Sequence, residues 1–345
     1  MAGIKVKHQA AMVLDLNKCM GCQTCSIACK RLWTREEGME YMWWNTVNTQ
    51  PGLGTPKGWE TMGGGFKNGI PQKGQLPSID EFGSNWEFNF EEVYYSGKGQ
   101  KTYLKPNPAA KWGMNWDEDE GAGEWPNSYF FYLPRICNHC THPACLEACP
   151  RKAIYKREED GIVLIDQSRC KGYRFCMEAC PYKKIYFNEI KNVSQKCIFC
   201  YPRIEQGITT ACSRQCPGRI RFVGYLDDED GPIYKLVKKW QVAIPLHPEY
   251  GTEPNVYYVP PLSSSKLDAD FKITNEPRIP LEYLESLFGK DVGKIIETLK
   301  AERQKKVDGG KSEILDTLIG YRWPKDFFKI PKGKGGVTSF QKGTL

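Results

Sequence analysis

Cysteine is the residue type in this sequence with the greatest capacity for metal chemistry. The chain contains 15 cysteines, and all of them fall in four short bursts. Because only four histidines accompany them, thiolate is the main available ligand, which favours zinc, copper(I) or iron–sulfur clusters. An odd number of cysteines also argues against a framework built only of disulfides. The bursts are Cys19, Cys22, Cys25 and Cys29; Cys137, Cys140, Cys145 and Cys149; Cys170, Cys176 and Cys180; and Cys197, Cys200, Cys212 and Cys216.

The spacing within the bursts selects among these metals. The first burst reads C-x2-C-x2-C-x3-C, the spacing of bacterial ferredoxins, in which the fourth thiolate ligates the other cluster of a pair. Zinc sites need closed sets of four ligands, usually as paired C-x2-C units. Bursts of four, four, three and four cysteines fit that requirement poorly. The pattern therefore predicts iron–sulfur clusters, with a zinc scaffold and a redox-active dithiol as the alternatives.

The bursts also form an internal repeat. Residues 14–25 align with residues 165–176, and this alignment places Tyr173 at the position of Cys22. The second and fourth bursts both begin with C-x2-C and end with C-x3-C-P. We interpret the chain as two ferredoxin units, one inserted within the other. Bursts one and four form the outer unit, and bursts two and three form the inner unit.

The cross-ligation rule of paired ferredoxin clusters then predicts a ligand set for each cluster. Three sets contain four thiolates and predict three [4Fe–4S] clusters. The remaining set has three thiolates, with Tyr173 at its open corner, and predicts a [3Fe–4S] cluster; a cubane with a water or tyrosine oxygen on the odd iron is the alternative. The four sets are the Cys19 group (Cys19, Cys22, Cys25, Cys216), the Cys29 group (Cys29, Cys197, Cys200, Cys212), the Cys137 group (Cys137, Cys140, Cys145, Cys180) and the Cys149 group (Cys149, Cys170, Cys176).

Residues next to the cysteines indicate how the clusters are surrounded. His139 and His142 lie inside the second burst, but the cysteine count is complete without them, so we expect them to donate hydrogen bonds near a cluster. A proline follows the last cysteine of bursts two, three and four and is expected to turn the chain away. Basic residues near the sulfurs either raise the reduction potentials or are simply solvated charges. These residues are Lys171, Arg174, Lys183, Lys184, Arg203, Arg214 and Arg219.

Composition limits the class of protein. The chain has 345 residues, 40% of them hydrophobic and 26% charged, which is typical of a globular protein of about two domains. No apolar run approaches the roughly 18 residues of a membrane span, and no export signal is recognised. The formal net charge is +7. Four clusters that each carry a charge of about −2 with their thiolates nearly cancel it, so we do not expect nucleic-acid binding.

The remaining patterns predict an α+β fold made of two interleaved bacterial-ferredoxin-like (βαββαβ) units, a large loop-rich insertion and a C-terminal helical extension. The insertion contains 8 of the 10 tryptophans and 15 of the 33 glycines and lacks clear periodicity. Residues 153–166 have the alternation of a β-hairpin, and residues 281–299 have helical spacing with a break near Gly289. The predicted domains are residues 1–30 with 190–227 (outer unit), 31–130 (insertion), 131–189 (inner unit) and 228–345 (C-terminal extension).

Taken with the burst pattern, several stretches give the chain a family resemblance over nearly its whole length. It resembles the iron–sulfur (beta) subunits of molybdopterin oxidoreductases of the dimethyl sulfoxide reductase family. The match is closest to the nitrate-reductase-like branch, with selenate, chlorate and perchlorate reductases and dimethyl sulfide and ethylbenzene dehydrogenases. The stretches are Leu16-Asn17-Lys18-Cys19, Asn115-Trp116-Asp117-Glu118-Asp119, Gly172-Tyr173-Arg174, Cys200-Tyr201-Pro202-Arg203-Ile204-Glu205 and Tyr250-Gly251-Thr252-Glu253-Pro254-Asn255.

This resemblance implies an electron relay that carries out no substrate chemistry itself. The expected partners are a catalytic alpha subunit with a molybdopterin cofactor, facing the Cys19 group, and a b-haem gamma subunit, facing the [3Fe–4S] cluster. The C-terminal extension is expected to wrap the partner subunit. The expected location is the periplasm, reached on the twin-arginine signal of the partner, with the cytoplasmic face of the membrane as the alternative. The alternative functions are a beta subunit of a cytoplasmic nitrate reductase or nitrite oxidoreductase, a stand-alone iron–sulfur enzyme and a zinc scaffold.

Overall fold

The computed structural model describes residues 6–83, 120–323 and 325–330. Residues 84–119 of the predicted insertion, which include the Asn115–Asp119 stretch, lie outside the described residues, as does the tail 331–345. The described residues contain both helices and strands, as the α+β prediction requires. None of the helices in these ranges is both long and apolar enough to cross a lipid bilayer.

Most of the helices and strands are short, and long connections separate them. The strands are β1 (Ala10–Asp15), β2 (Thr46–Gln50), β3 (Phe66–Lys67), β4 (Ile70–Pro71), β5 (Phe131–Arg135), β6 (Ile154–Lys156), β7 (Val163–Ile165), β8 (Ile185–Asn188), β9 (Val193–Lys196), β10 (Arg221–Tyr225), β11 (Ile244–Pro245), β12 (Val256–Val259), β13 (Ser265–Leu267) and β14 (Ile273–Pro277). The helices are α1 (Thr24–Trp33), α2 (Ala144–Glu147), α3 (Phe175–Ala179), α4 (Tyr201–Ile204), α5 (Ala211–Arg214), α6 (Pro232–Tyr234), α7 (Leu281–Phe288), α8 (Val292–Val307) and α9 (Glu313–Leu318).

A four-stranded sheet with the order β10-β1-β12-β11 lies at the centre of the fold. Strand β1 runs antiparallel to β10, with Ala10 opposite Tyr225, and parallel to β12, with Met12 opposite Val256. All six residues of β1 are buried. Since successive side chains of a strand point to opposite faces, Met12 packs in one hydrophobic core and Val13 in another. The two faces of β1 therefore border two cores, one that contains cysteines of the bursts together with residues of α7, and one that contains residues of α8 and α9.

Each of the last three bursts leads into a strand, as the sequence predicts. Strand β6 follows the second burst and pairs with β7 in the predicted hairpin, with Tyr155 opposite Leu164. Strand β8 follows the third burst and pairs with β9, and β10 follows the fourth burst. Helix α1 of the first burst packs against α5 of the fourth, while α2 of the second packs against α3 of the third. Short hydrogen-bonded turns and paired strands thus position the cysteines.

The C-terminal region contributes strands to the four-stranded sheet in addition to the predicted helices. Helices α7 and α8 form as expected, and α7 ends at Gly289, whose φ of +84° is a conformation that glycine adopts without strain. Leu287 of α7 enters the core of the cysteine-rich half, whereas Leu299 of α8 enters the core on the other face of the sheet. In addition, β11 and β12 join the central sheet. The parallel pairing of β12 with β1 joins strands that lie far apart in the sequence, so no local pattern predicts it.

Candidate iron–sulfur centres

The aligned repeat in the first and third bursts has the same backbone conformation. Gln23 precedes α1 with φ 56° and ψ 1°, and Arg174 precedes α3 with φ 62° and ψ 0°. Gly21 and Gly172, two residues earlier, also have positive φ angles of 66° and 70°. The structure therefore supports the alignment that places Tyr173 at the position of Cys22.

The C-P-x-[K/R] sequences that end the other bursts form one repeated turn. The backbone N–H of Lys152, Lys183 and Arg219 donates to the carbonyl of the cysteine three residues earlier, at 3.0, 3.2 and 3.2 Å. These three residues have positive φ angles of 49°, 48° and 47°. A proline follows each cysteine and fixes φ, but the turn keeps the backbone beside the thiol, because the N–H of Ala153 donates to Cys149 Sγ at 3.3 Å and the backbone N–H groups of Gly218 and Ile220 hydrogen-bond to the Cys216 thiol. The prediction that the prolines turn the chain away is therefore wrong.

The Cys19 group is the most exposed of the four. Burial raises the pKa of Cys19 to about 12, and the thiolates of Cys25 and Cys216 lie close enough to raise it further. Cys25 is buried, whereas Cys22 is exposed, and its Sγ accepts a hydrogen bond from Thr24 Oγ1 at 3.4 Å. The structure thus brings three of the predicted ligands together and places Cys22 at the surface.

All four members of the Cys29 group line one cavity, the Cys29 cavity. All four thiols are buried. Burial raises the pKa of Cys29 well above its usual value, and the thiolates of Cys197, Cys200 and Cys212 act in the same direction. Four close thiolates repel one another, so a bound cation or iron cluster is needed to ionise them together.

All four members of the Cys137 group line a second cavity, the Cys137 cavity. Burial raises the pKa of Cys140 to about 12, with the thiolates of Cys137 and Cys180 adding to the effect. The pKa of Cys145 is raised well above its usual value by burial, and the same two thiolates contribute. The predicted members of this group therefore surround one space.

The Cys149 group consists of three thiols. Burial raises the pKa of Cys176 to about 12, and the thiolates of Cys170 and Cys149 raise it further. The backbone N–H of Ala153 donates to Cys149 Sγ at 3.3 Å, and that of Ser194 donates to Cys170 Sγ at 3.4 Å. The side chain of Tyr173, at the predicted open corner, is 55% exposed.

The four groups follow one another in a row. The thiolates of Cys25 and Cys212, which belong to the Cys19 and Cys29 groups, both raise the pKa of Arg221. Cys197 of the Cys29 group has Cys137 of the next group as an electrostatic neighbour. Cys176 of the Cys149 group has Cys180 of the Cys137 group as a neighbour. Adjacent groups are thus close enough to interact electrostatically.

Several N–H donors point at the thiols. Trp33 Nε1 donates to Cys200 Sγ at 3.1 Å, and Arg221 Nη2 donates to Cys25 Sγ at 3.3 Å. Such donors stabilise the electron-rich sulfur of a reduced cluster and raise its reduction potential. Sequence reasoning missed both residues, because each hydrogen bond joins positions far apart in the chain, 167 residues for Trp33 and 196 residues for Arg221.

Buried positive charge accumulates around the groups. Among the described residues seven lysines and arginines are buried, against two carboxylates, Asp15 and Asp160. Burial lowers the pKa of Lys184 well below its usual value, and the nearby thiolates oppose that effect. Anionic clusters would act in the same sense as those thiolates and keep such cations charged. The buried cations are Lys30, Arg135, Lys156, Lys183, Lys184, Lys196 and Arg221.

The basic residues that the sequence analysis singled out differ in how far they are buried. Lys183 and Lys184 are buried, and Lys183 Nζ donates to the carbonyl of Glu178 at 2.7 Å. Lys171 and Arg214 are exposed, so the solvated interpretation suits them better. The histidines also differ, because His142 Nδ1 faces Glu253 at 3.2 Å on the surface, whereas His139 is buried beside the Cys137 group.

The donor set fits iron–sulfur clusters. In the described part of the chain, no three His, Cys, Asp or Glu side chains are close enough to hold a single metal ion. The cysteines instead surround spaces with apolar walls and have N–H groups directed at sulfur. This combination of thiols, apolar lining and N–H donors is typical of iron–sulfur proteins.

Comparisons with known proteins agree with this chemistry. The 4Fe-4S dicluster domain family matches residues 128–226. The chain is 59% identical to the dimethylsulfide dehydrogenase subunit beta of Rhodovulum sulfidophilum, covering 93% of this chain and 99% of that protein. It is 57% identical to the respiratory nitrate reductase subunit beta of Haloferax mediterranei, covering 91% of each chain. It is 56% identical to the selenate reductase subunit beta of Thauera selenatis, covering 91% of this chain and 97% of that one. The chain therefore belongs to the iron–sulfur beta subunits of dimethyl sulfoxide reductase family enzymes.

Proposed function

We propose that this chain relays electrons through three [4Fe–4S] clusters and one [3Fe–4S] cluster within an oxidoreductase complex. The observation that carries the proposal is the row of four thiol groups, in which each group has the next as an electrostatic neighbour. The proposed ligands are the Cys19, Cys29 and Cys137 groups for the cubanes and the Cys149 group for the three-iron cluster. Tyr173 occupies the open corner of the last.

The packing of the helices that carry these groups supports two interleaved ferredoxin-like units. The packing of α1 against α5 joins the first and fourth bursts, and the packing of α2 against α3 joins the second and third. We infer that residues 1–30 with 190–227 form the outer unit and residues 131–189 the inner one. Residues 31–130 are then the insertion and residues 228–345 the C-terminal extension.

The clusters, when bound, supply one-electron redox chemistry, and the protein supplies their surroundings. Buried thiols hold each cluster, and the apolar walls of the Cys29 and Cys137 cavities exclude water. The guanidinium of Arg221 and the ammonium of Lys184 stabilise added negative charge beside the groups. None of these roles requires a substrate to bind to this chain.

The two ends of the row are the proposed contact sites for the partner subunits. The matched relatives are beta subunits, which implies a catalytic alpha subunit. We propose that a molybdopterin-containing alpha subunit contacts the Cys19 end, where Met20 is 59% exposed beside the exposed Cys22. A b-haem gamma subunit is proposed at the Cys149 end, where Tyr173 and Phe175 are exposed. The C-terminal extension is proposed to wrap the partner subunit.

The location is proposed to be the periplasm, reached with the folded partner on its twin-arginine signal. A cytoplasmic complex of the nitrate reductase or nitrite oxidoreductase type is the alternative, and respiratory nitrate reductase beta subunits are among the matched relatives. Both versions assign the same electron-transfer role to this chain.

Metal analysis of this subunit, separated from its partners under anaerobic conditions with its clusters retained, tests the cluster assignment. We expect about 15 iron atoms and about 16 acid-labile sulfides per chain, together with a [3Fe–4S] signal in the electron paramagnetic resonance (EPR) spectrum of the oxidised protein. Zinc in place of iron would overturn the electron-relay proposal. About 16 iron atoms without the three-iron signal would overturn only the assignment of the Cys149 group.

A further inference from the structure

Two buried N–H groups have no acceptor among the described residues, and each lies on the wall of a cysteine-lined cavity. Trp44 Nε1 belongs to a side chain that lines the Cys29 cavity, and His139 Nε2 belongs to one that lines the Cys137 cavity. Both side chains are more than nine-tenths buried. Because an unsatisfied buried donor costs about 1–3 kcal/mol, such groups call for a partner in the native protein.

The hydrogen bonding of His139 fixes which ring nitrogen carries the proton. The backbone N–H of Val163 donates to His139 Nδ1 at 3.1 Å, so Nδ1 presents its lone pair and Nε2 carries the proton of the neutral ring. His139 Nε2 is therefore a donor.

The indole of Trp44 can only donate, since its nitrogen has no available lone pair. Trp33 lines the same cavity, and its Nε1 donates to Cys200 Sγ. A sulfur atom is thus the acceptor of another indole in this cavity. Trp59 also has a buried N–H with no acceptor among the described residues, but it lines neither cavity. Its ring instead lies 3.4 Å from the guanidinium carbon of Arg135.

We propose that Trp44 Nε1–H and His139 Nε2–H each donate a hydrogen bond to a sulfur atom of the cluster in their cavity. The inference rests on the proposed function, since it requires that clusters fill the Cys29 and Cys137 cavities. Both residues are positioning residues that set a reduction potential, because donation to sulfur stabilises the reduced state. They would raise the potentials of the two middle clusters of the row.

Phenylalanine substitutions in the purified complex test this role. Trp44→Phe and His139→Phe keep an aromatic ring and remove the donor. Phe is compatible with the backbone at His139, since Phe199 occupies the matching position of the fourth burst with φ 54°, against 44° for His139. We expect the equilibrium constant for reducing the affected cluster to fall at least threefold, about 30 mV for a one-electron couple at 59 mV per tenfold.

The potentials are measured by redox titration with EPR after iron and sulfide have been quantified. Trp59→Phe is the matched control, because it removes an equally buried indole N–H outside both cavities, and all four potentials should stay unchanged. An unchanged potential in Trp44→Phe or His139→Phe at full iron content would overturn the proposal for that residue. Absence of iron and sulfide from the wild-type complex would instead overturn the proposed function.

If His139→Phe loses its cluster, its potential cannot be measured. A measurement on the wild-type residue then tests the proposed hydrogen bond. In the reduced complex labelled with ¹⁵N-histidine, pulsed EPR should detect a nitrogen coupled to a [4Fe–4S] cluster and an exchangeable proton that disappears in D₂O. For Trp44 the same experiment uses ¹⁵N-tryptophan in a Trp33→Phe background, which removes the other indole donor of that cavity. Absence of these couplings would overturn the proposal.

Discussion

In the proposed assignment, the type of the fourth cluster depends on Tyr173. Its backbone neighbours repeat those of Cys22, since Gly172 and Arg174 match Gly21 and Gln23 in their positive φ angles. A three-thiolate set can hold three irons, and a fourth thiolate at this corner would allow a fourth.

We therefore predict that Tyr173→Cys converts the [3Fe–4S] cluster to a cubane. The chain should gain about one iron, lose the three-iron EPR signal and show a lower potential at this site, which slows electron transfer to the haem. Phe175→Cys is the control, because Phe175 is similarly exposed but does not align with a ligand. An unchanged spectrum in Tyr173→Cys would show that Tyr173 is not at the open corner.

Arg221 is the residue between the first two groups. It is fully buried, and its Nη2 donates both to Cys25 Sγ at 3.3 Å and to Asn45 Oδ1 at 2.7 Å. Removing a buried cation beside an anionic cluster leaves that charge uncompensated, which disfavours a further electron.

We predict that Arg221→Gln lowers the potential of the cluster in the Cys19 group and that Arg221→Lys lowers it less, since Lys keeps the charge but loses the planar pair of donors. Redox titration monitored by EPR checks both variants. The control is Arg219→Gln, which removes a charge that lies against the partly exposed Tyr321 ring. Equal potentials in wild type and Arg221→Gln at full iron content would contradict the assignment.

At the scale of elements, His247 ties three segments together. Its Nε2 lies 2.9 Å from Glu60 in the insertion, its Nδ1 lies 2.7 Å from Glu249, and its backbone N–H donates to Leu287 of α7 at 2.7 Å. Burial alone would lower the pKa of His247, but the hydrogen bonds to the two carboxylates outweigh it and raise the pKa.

A raised pKa in the folded state gives a definite pH dependence. The stabilisation by His247 is fully present below its unfolded pKa of about 6.5 and is lost as the pH rises through the folded pKa. We predict that His247→Asn, which suits the positive φ of 48° at this position, lowers stability by roughly 1–3 kcal/mol at pH 6 and by less at pH 9. Anaerobic thermal unfolding of both proteins at the two pH values checks this, and a difference that grows with pH would contradict it.

The elements show what could be predicted from the sequence and what could not. The hairpin of β6 and β7 and the turns after Cys149, Cys180 and Cys216 depend on neighbouring residues, so local patterns predict them. The parallel pairing of β12 with β1 and the contact of Arg221 with Cys25, 196 residues away, depend on the assembled fold. No local pattern encodes such contacts, and for the same reason sequence reasoning missed five of the seven cations buried among the described residues, all except Lys183 and Lys184. It also missed the donor role of Trp33 and the one proposed for Trp44.

At the scale of the whole molecule, the buried charges and the chemistry of the cysteines both indicate that the clusters are inserted before the protein is transported. None of the 15 cysteines forms a disulfide, and many of them are buried beside cations. An oxidising compartment would pair free thiols before iron reached them. Because cluster binding is coupled to folding, we expect the clusters to be inserted under reducing conditions and the folded protein to be transported afterwards.

We predict that this chain reaches the periplasm only together with a folded catalytic partner. Deleting the signal peptide of that partner should leave this chain in the cytoplasm with its clusters intact, as measured by cell fractionation and by the iron content of the retained protein. A periplasmic protein with its own signal serves as the control for the fractionation. If this chain still reached the periplasm, transport on the partner's signal would be wrong. If wild-type cells kept it in the cytoplasm, the periplasmic assignment itself would be wrong, and the cytoplasmic nitrate-reductase-like alternative would replace it while the electron-transfer role remained.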